Sequence, residues 1–203
     1  MIEKIVLATQ NKGKVKEFTE MLEANDLNVQ VISLLEIEDV PEIVEDGSSF
    51  KENAYIKAHK ICLHTGLLTL ADDSGLEVDY LNGAPGIHSA RFAGEPKNDQ
   101  KNNEKLLRLL EGVPSDGRTA RFKCAICVMF PGGDFYETEG VCEGVIASSP
   151  KGSNGFGFDP LFYLPQYGLT MAQLSSEEKN KISHRAKAFA KAIEILQKLV
   201  KKT

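Results

Sequence analysis

The chain opens on an apolar run with β-branched members over residues 2–8, then turns polar at Thr9. Beyond that turn, Val15, Phe18, Met21 and Leu22 recur at the spacing of one helical face, so a strand, a loop and a helix are predicted in that order. A second strand is expected over 29–33. An acidic, Pro-containing loop then runs to Gly47, and a helix is predicted from Ser48 or Ser49 to Gly66, a residue suited to ending a helix. Residues 67–71 form a short apolar run that breaks off at Asp72-Asp73-Ser74-Gly75, which places both carboxylates at a strand end or tight turn. Within a regular strand two adjacent Asp side chains would face opposite ways, whereas a turn can bring both to one side.

A Gly/Pro-rich stretch (Gly83, Pro85, Gly86, Gly94, Pro96) leads to an amphipathic helix over 98–111, closed by Gly112. Two long strands, 118–130 and 135–147, flank Pro131-Gly132-Gly133-Asp134, a hairpin signal that makes the sheet at least partly antiparallel. The last third begins with a Gly-rich segment over 152–157. It ends in a helix from Ser183 whose apolar face carries Ala186, Phe189, Ala190, Ile193, Leu196 and Val200. With no internal repeat and no flexible linker, the pattern predicts one α/β domain over residues 1–203, a mixed, twisted sheet flanked by helices. An elongated, two-lobed form with a central cleft would suit loops drawn from both halves of the chain.

At 203 residues, with 42% hydrophobic and 26% charged residues, the composition is that of a globular protein with a substantial core. A formal net charge of −5 argues against broad nucleic-acid binding, which needs many cations on the phosphate backbone, but leaves room for a small phosphorylated ligand. The amino-terminal residues show neither a signal-peptide core nor its basic flank, and no run is long enough to span a bilayer, so no membrane partner is expected. Four scattered cysteines (Cys62, Cys124, Cys127, Cys142) do not make a disulfide framework and suit a reducing cytoplasm. Cys124 and Cys127 form a C-x-x-C, yet on a strand residues three apart address opposite faces, so buried structural thiols are the better reading.

Four constellations could carry chemistry. Thr9, Gln10, Asn11, Lys12, Gly13 and Lys14 occupy a strand-to-helix turn, where backbone N–H groups, the helix dipole and a lysine favour phosphate, although many ordinary helices also start on polar residues. It is not a Walker A loop, because Ala8 and Val15 stand where that motif needs Gly and Ser or Thr. Glu42, Glu45, Asp46, Asp72 and Asp73 supply hard oxygen donors for a divalent ion, or else solvated acids and a capped turn. Lys57, Arg91, Lys179, His184 and Arg185 are dispersed cations; surface solvation accounts for most such groups, but basic residues directly after Ser183 oppose the helix dipole and point to an anion or a hydrogen-bond acceptor that offsets it. Finally, the rings of Asn154-Gly155-Phe156-Gly157-Phe158-Asp159-Pro160 could stack on a nucleobase while Asp159 accepts a base N–H, or could be core phenylalanines around a bulge.

Taken in order, these segments resemble the inosine triphosphate pyrophosphatase family. The resemblance runs through residues 7–14, Ser49-Phe50-Lys51-Glu52-Asn53-Ala54, residues 71–79, residues 83–94, residues 155–162 and Ser183-His184-Arg185-Ala186. It implies Mg²⁺-assisted hydrolysis of dITP, ITP and XTP to the monophosphate and pyrophosphate by a homodimer, keeping these purines out of DNA and RNA. It further implies a triphosphate held by residues 9–14 and Lys57, metal ligands Glu45 and Asp73, Asp73 as proton acceptor, and substrate contact from Ser74. Phe156, Gly157, Phe158, Asp159, Lys179, His184 and Arg185 would form the nucleoside side. Phe158 stands where a larger polar aromatic often occurs in relatives. The rival readings are a nucleotide sensor without turnover, a pyrophosphatase for modified pyrimidines or a phosphatase releasing orthophosphate, and a cytosolic interaction protein.

Overall fold

Residues 4–25 and 29–200 are described by the computed structural model, the side chains of 199 and 200 excepted. The strands are β1 (Lys4–Leu7), β2 (Gln30–Ser33), β3 (Thr69–Val78), β4 (Thr119–Met129), β5 (Phe135–Ile146), β6 (Phe162–Leu164) and β7 (Leu169–Thr170). The helices are α1 (Lys12–Glu23), α2 (Phe50–Thr65), α3 (Asp99–Leu109), α4 (Ser176–Ile182) and α5 (His184–Val200). One sheet has the order β2-β1-β3-β4-β5-β6-β7, with β1 parallel to β2 and β3, and β6 antiparallel to β5 and β7. The predicted mixed sheet with flanking helices is therefore the observed class. Residues 2 and 3 of the predicted first strand, and the Val200 side chain, lie outside the described residues.

Helix ends follow the local chemistry. The Ser49 side chain accepts the Glu52 N–H and caps α2, and Gly66 closes that helix in the left-handed conformation, with φ 65°. In the hairpin between β4 and β5, the Phe130 N–H donates to the Asp134 carbonyl and the Gly133 N–H donates back to the Phe130 carbonyl, both at 2.9 Å.

Two expectations are corrected. Asp72, Asp73, Ser74 and Gly75 do not form a turn; they lie inside β3, which continues past the apolar run because partners elsewhere neutralise its carboxylates. The helix predicted from Ser183 is preceded by a separate short helix, α4. There Ser175 caps Glu178 and the Glu178 carboxylate accepts the Ser175 N–H in return.

The chain divides into two compact units: residues 1–73, 124–140 and 185–203 form one, and residues 74–123 and 141–184 the other. Each has its own apolar core. In the first, Ile5, Leu7, Phe18, Leu22, Leu70, Ile126, Val128, Phe189 and Ile193 are buried together, with the Phe18 and Phe189 rings meeting edge to face at 5.1 Å. In the second, Leu76, Leu106, Leu110, Phe122, Phe162 and Met171 pack together, with the Phe122 and Phe162 centroids 4.4 Å apart. Among the described residues no helix is long and apolar enough to cross a membrane.

Gly144 on β5 fixes how closely β6 approaches. A Cβ placed there would lie 2.6 Å from the Phe162 ring and 2.7 Å from the Tyr163 carbonyl oxygen, and the backbone atom cannot swing aside. Gly144→Ala is expected to lower unfolding free energy by ~1–3 kcal/mol in urea denaturation, the range for overpacking a filled interior.

Candidate active site

In the first unit, the turn from β1 to α1 is organised by its own side chains. The Thr9 hydroxyl accepts the Asn11 N–H at 3.1 Å, and Asn11 caps α1 by accepting the N–H groups of Gly13 at 2.9 Å and Lys14 at 3.2 Å. Gln10, Asn11 and Lys12 are exposed. Lys14 instead folds inward, with its ammonium 2.9 Å from Asp72 Oδ2.

Asp72 is 2% exposed and is held on β3 by two cations. Besides Lys14, Arg185 at the start of α5 donates Nε to Asp72 Oδ2 at 3.3 Å, and its Nη1 donates to Glu17 of α1. Burial alone would raise the Asp72 carboxyl, but the charges of Lys14, Arg185 and Lys57 outweigh it and hold the group well below the usual carboxylate range. The Arg185 guanidinium is buried too; desolvation opposes its charge, and Glu17 and Asp72 more than restore it. Beside this network the Cys124 thiol, 3.9 Å from Asp72 Oδ2, is pushed up by burial, and burial takes Cys127 to about 12. Both are buried free thiols, as expected from their place on a strand.

Asp73, the next residue, has different partners. Asn53 and Lys57 stand one turn apart on α2, on the same helical face. The Asn53 amide donates to Asp73 Oδ2 at 3.2 Å, and Lys57 Nζ donates to Asp73 Oδ1 at 3.2 Å and to Glu45 Oε2 at 3.0 Å. Asn53 also accepts the Gly47 N–H at 2.9 Å, while a Cβ on Gly47 would come within 2.7 Å of that same amide oxygen. The acidic loop is thus tied to the helix at a point where only glycine fits. Of Glu42, Glu45 and Asp46 it is Glu45 that meets Lys57. Burial pushes Asp73 above the ordinary carboxylate range, and the neighbouring charge of Glu45 adds to this against the pull of Lys57 and Lys14. Lys57 stays charged: burial works against it, but Asp73, Glu45 and Asp72 raise it further.

Glu45 and Asp73 therefore converge on one cation, the Lys57 ammonium, with hard oxygen donors. Among the described residues no group of three or more His, Cys, Asp or Glu side chains forms a metal cage. Two carboxylates fit an ion that completes its shell with phosphate oxygens and water, as Mg²⁺ does.

The second unit holds the remaining predicted residues. Asp159 Oδ2 accepts the Phe156 N–H at 2.9 Å and the Lys179 ammonium at 2.7 Å, and Lys179 Nζ also sits over the Phe156 ring, 4.8 Å from its centroid. Phe158 is a core residue, meeting Phe92 edge to face, whereas Phe156 is half-buried. His184 is buried and stacks on Phe122 at 4.7 Å. Ser74 is half-buried on β3.

Three contributors were not singled out from sequence: Asn53, Gly47 and Glu17. Asn53 had a signal, its spacing of four from Lys57, but Glu17 meets an arginine 168 residues away and had none. Removing the arginine takes one of its two cations from the fully buried Asp72 and a buried cation from Glu17. Arg185→Leu is expected to cost ~3–5 kcal/mol in chemical denaturation, and adding Glu17→Gln should return part of that loss.

The comparisons with known proteins agree along nearly the whole chain. The Ham1 family model matches residues 5–195. A dITP/XTP pyrophosphatase of Desulforamulus reducens is 58% identical over 97% of this chain and 96% of its own length, and one of Geobacillus kaustophilus is 51% identical over 98% and 97%. A solved HAM1 protein structure from Coxiella burnetii superposes with a TM-score of 0.86 at 43% identity, covering 97% of this chain and 99% of that one. A match of this extent, in both sequence and structure, establishes that the chain belongs to the Ham1 family.

Proposed function

We propose that this protein hydrolyses dITP, ITP and XTP to the nucleoside monophosphate and pyrophosphate. The observation that carries the reading is Asp73: a buried carboxylate whose two oxygens are fixed by Lys57 and Asn53 and which shares Lys57 with Glu45. That arrangement stands in a chain 58% identical to a dITP/XTP pyrophosphatase.

Attack of water on the α-phosphate needs a base, and a carboxylate raised by burial is a stronger base than a solvated one. Asp73 takes the water proton. Charge then gathers on the departing pyrophosphate, and Lys14, Lys57 and the loop of Thr9, Gln10, Asn11, Lys12 and Gly13 meet it with ammonium groups and the positive end of α1. Mg²⁺ would be held by Glu45 and Asp73; when bound it neutralises phosphate charge and makes its water more acidic. Ser74 contacts the substrate beside Asp73.

Phe156, Gly157, Asp159, Lys179, His184 and Arg185 serve the nucleoside, and Phe158 supports that segment from the core. A donor aimed at a 6-oxo group would leave the 6-amino group of adenine facing another donor, a mismatch that discriminates by ~10⁴ in favourable cases. A homodimer working in the reducing cytoplasm, keeping non-canonical purines out of DNA and RNA, completes the reading; four buried thiols suit that compartment.

The test is to incubate the protein with ITP, dITP, XTP, GTP and ATP plus Mg²⁺ and identify the products. Pyrophosphate from the first three is expected; orthophosphate, or equal rates on all five, overturns the reading. Asp73→Asn should lose turnover by ~10²–10⁴ while its circular dichroism stays that of the wild type. Undiminished hydrolysis by that variant would mean that another group is the base.

A further inference from the structure

We infer that the first two turns of α3 position the nucleoside loop, with Asp99 and Asn103 as positioning residues for substrate recognition; the inference rests on residues 156–159 serving the nucleoside. Both polar groups of Gly157 are held from this one helix. Its N–H donates to Asp99 Oδ2 at 2.7 Å, and its carbonyl accepts from the Asn103 amide at 2.9 Å. Asp99 and Asn103 are four residues apart, so they rise from one face and can bracket a single residue.

The rest of the loop is held from within. Gly155 has φ 75°, and a Cβ on it would lie 2.0 Å from Asp159 Oδ2 and 3.1 Å from Lys179 Nζ. The chain is thus wrapped against the Asp159–Lys179 pair, which also takes the Phe156 N–H. Phe156 and Asp159 are tied to each other, and Gly157 between them is tied to α3.

The Asn103 amide shows which role its side chain serves. Its oxygen is buried and accepts no hydrogen bond among the described residues. Turning the amide over would present that oxygen to the Gly157 carbonyl and strand the NH₂ group instead. An unsatisfied buried acceptor costs stability, so the observed orientation is the one that secures Gly157.

The same helix organises the Gly/Pro-rich segment over 83–94, a block that the proposed chemistry does not use. The Asn102 oxygen accepts the Ala93 N–H at 2.7 Å, and its NH₂ group donates to the Ala90 carbonyl at 3.1 Å. Lys105 donates to the Phe92 carbonyl and covers the Phe92 ring, which meets Phe158 edge to face. Consecutive residues of α3 therefore address two loops: Asn102 the 83–94 segment, whose Phe92 meets Phe158, and Asn103 the Phe156–Asp159 segment itself. What α3 would set is the placement of Phe156 and Asp159 against the purine, with no part in handling the triphosphate.

The test compares wild type, Asn103→Asp, Asp99→Ala and Asp99→Asn for kcat and KM with dITP and ITP, inhibition by inorganic pyrophosphate, and melting temperature. Asn103→Asp keeps the shape but sets a carboxylate oxygen against the Gly157 carbonyl. It is expected to raise KM for dITP ~5–10-fold, the scale of one hydrogen bond lost, with kcat within about twofold of wild type. Pyrophosphate inhibition should not move. The exposed Asp99→Ala should raise KM by about twofold, and Asp99→Asn, which keeps an acceptor, should recover most of that rise. An unchanged KM in Asn103→Asp overturns the inference. So does a parallel loss of kcat, KM and pyrophosphate inhibition with a lowered melting temperature, because α3 would then be structural only. If Asn103→Asp does not fold, Asp99→Ala decides by the same KM. A wild type that leaves dITP intact refutes the proposed function itself, whereas an active wild type with insensitive variants refutes only the role of α3.

Discussion

Burying the Asp72 carboxylate on β3 is the constraint that organises the first unit. An unpaired charge at that depth would cost several kcal/mol, and it is met by Lys14 from α1 and Arg185 from α5. Arg185 is itself buried and needs a second anion, which α1 supplies as Glu17. Two carboxylates and two cations thus close into a neutral set spanning β3, α1 and α5. Apolar residues of the same volume would hold these elements together at least as firmly, so the network is better explained by what it positions than by the stability it adds. It positions Lys14 against the strand and fixes β3 so that the next residue, Asp73, meets α2.

Adjacency on a strand then divides the labour. Neighbouring side chains address opposite faces, and the two aspartates have separate direct partners: Lys14 and Arg185 for one, Asn53 and Lys57 for the other. Their acidities are driven apart as a result. Asp72, between two cations, is held low; Asp73, buried beside the like charge of Glu45, is held high. Paired acids whose surroundings push them in opposite directions suit the acid–base chemistry proposed for Asp73, with Asp72 kept ionised beside it.

Most element boundaries could be read from the chain because local signals set them. Ser49 and Gly66 bracket α2, Asn98 caps α3, and Pro131-Gly132-Gly133-Asp134 turns the long hairpin. β6 and β7, three and two residues long, are too short for any periodicity to register. The Asp72-Asp73 segment misled for a different reason: it breaks the apolar pattern of a buried strand, and the groups that make its burial tolerable sit at positions 14, 53, 57 and 185, invisible to a local reading. The short helix α4 did carry a signal, the Ser175–Glu178 capping box. The site residues that were legible were those set in recognisable blocks, such as Lys14, Asp73 and Asp159. Glu17 acts through a partner far along the chain and belongs to no local pattern.

The same network bears on how an arginine could recognise a base. A guanidinium cannot give up its charge, and its donors lie in one rigid plane. Here Nε is bound to Asp72 and Nη1 to Glu17, so the plane of Arg185 is set by two carboxylates on different elements. A mobile donor that meets the wrong base turns away and loses little. One that is locked cannot turn, and the mismatch is felt in full as an unsatisfied polar pair. On the proposed reading, in which Arg185 serves the nucleoside, selectivity depends less on which donors are present than on how firmly they are held, and Glu17 and Asp72 hold Arg185.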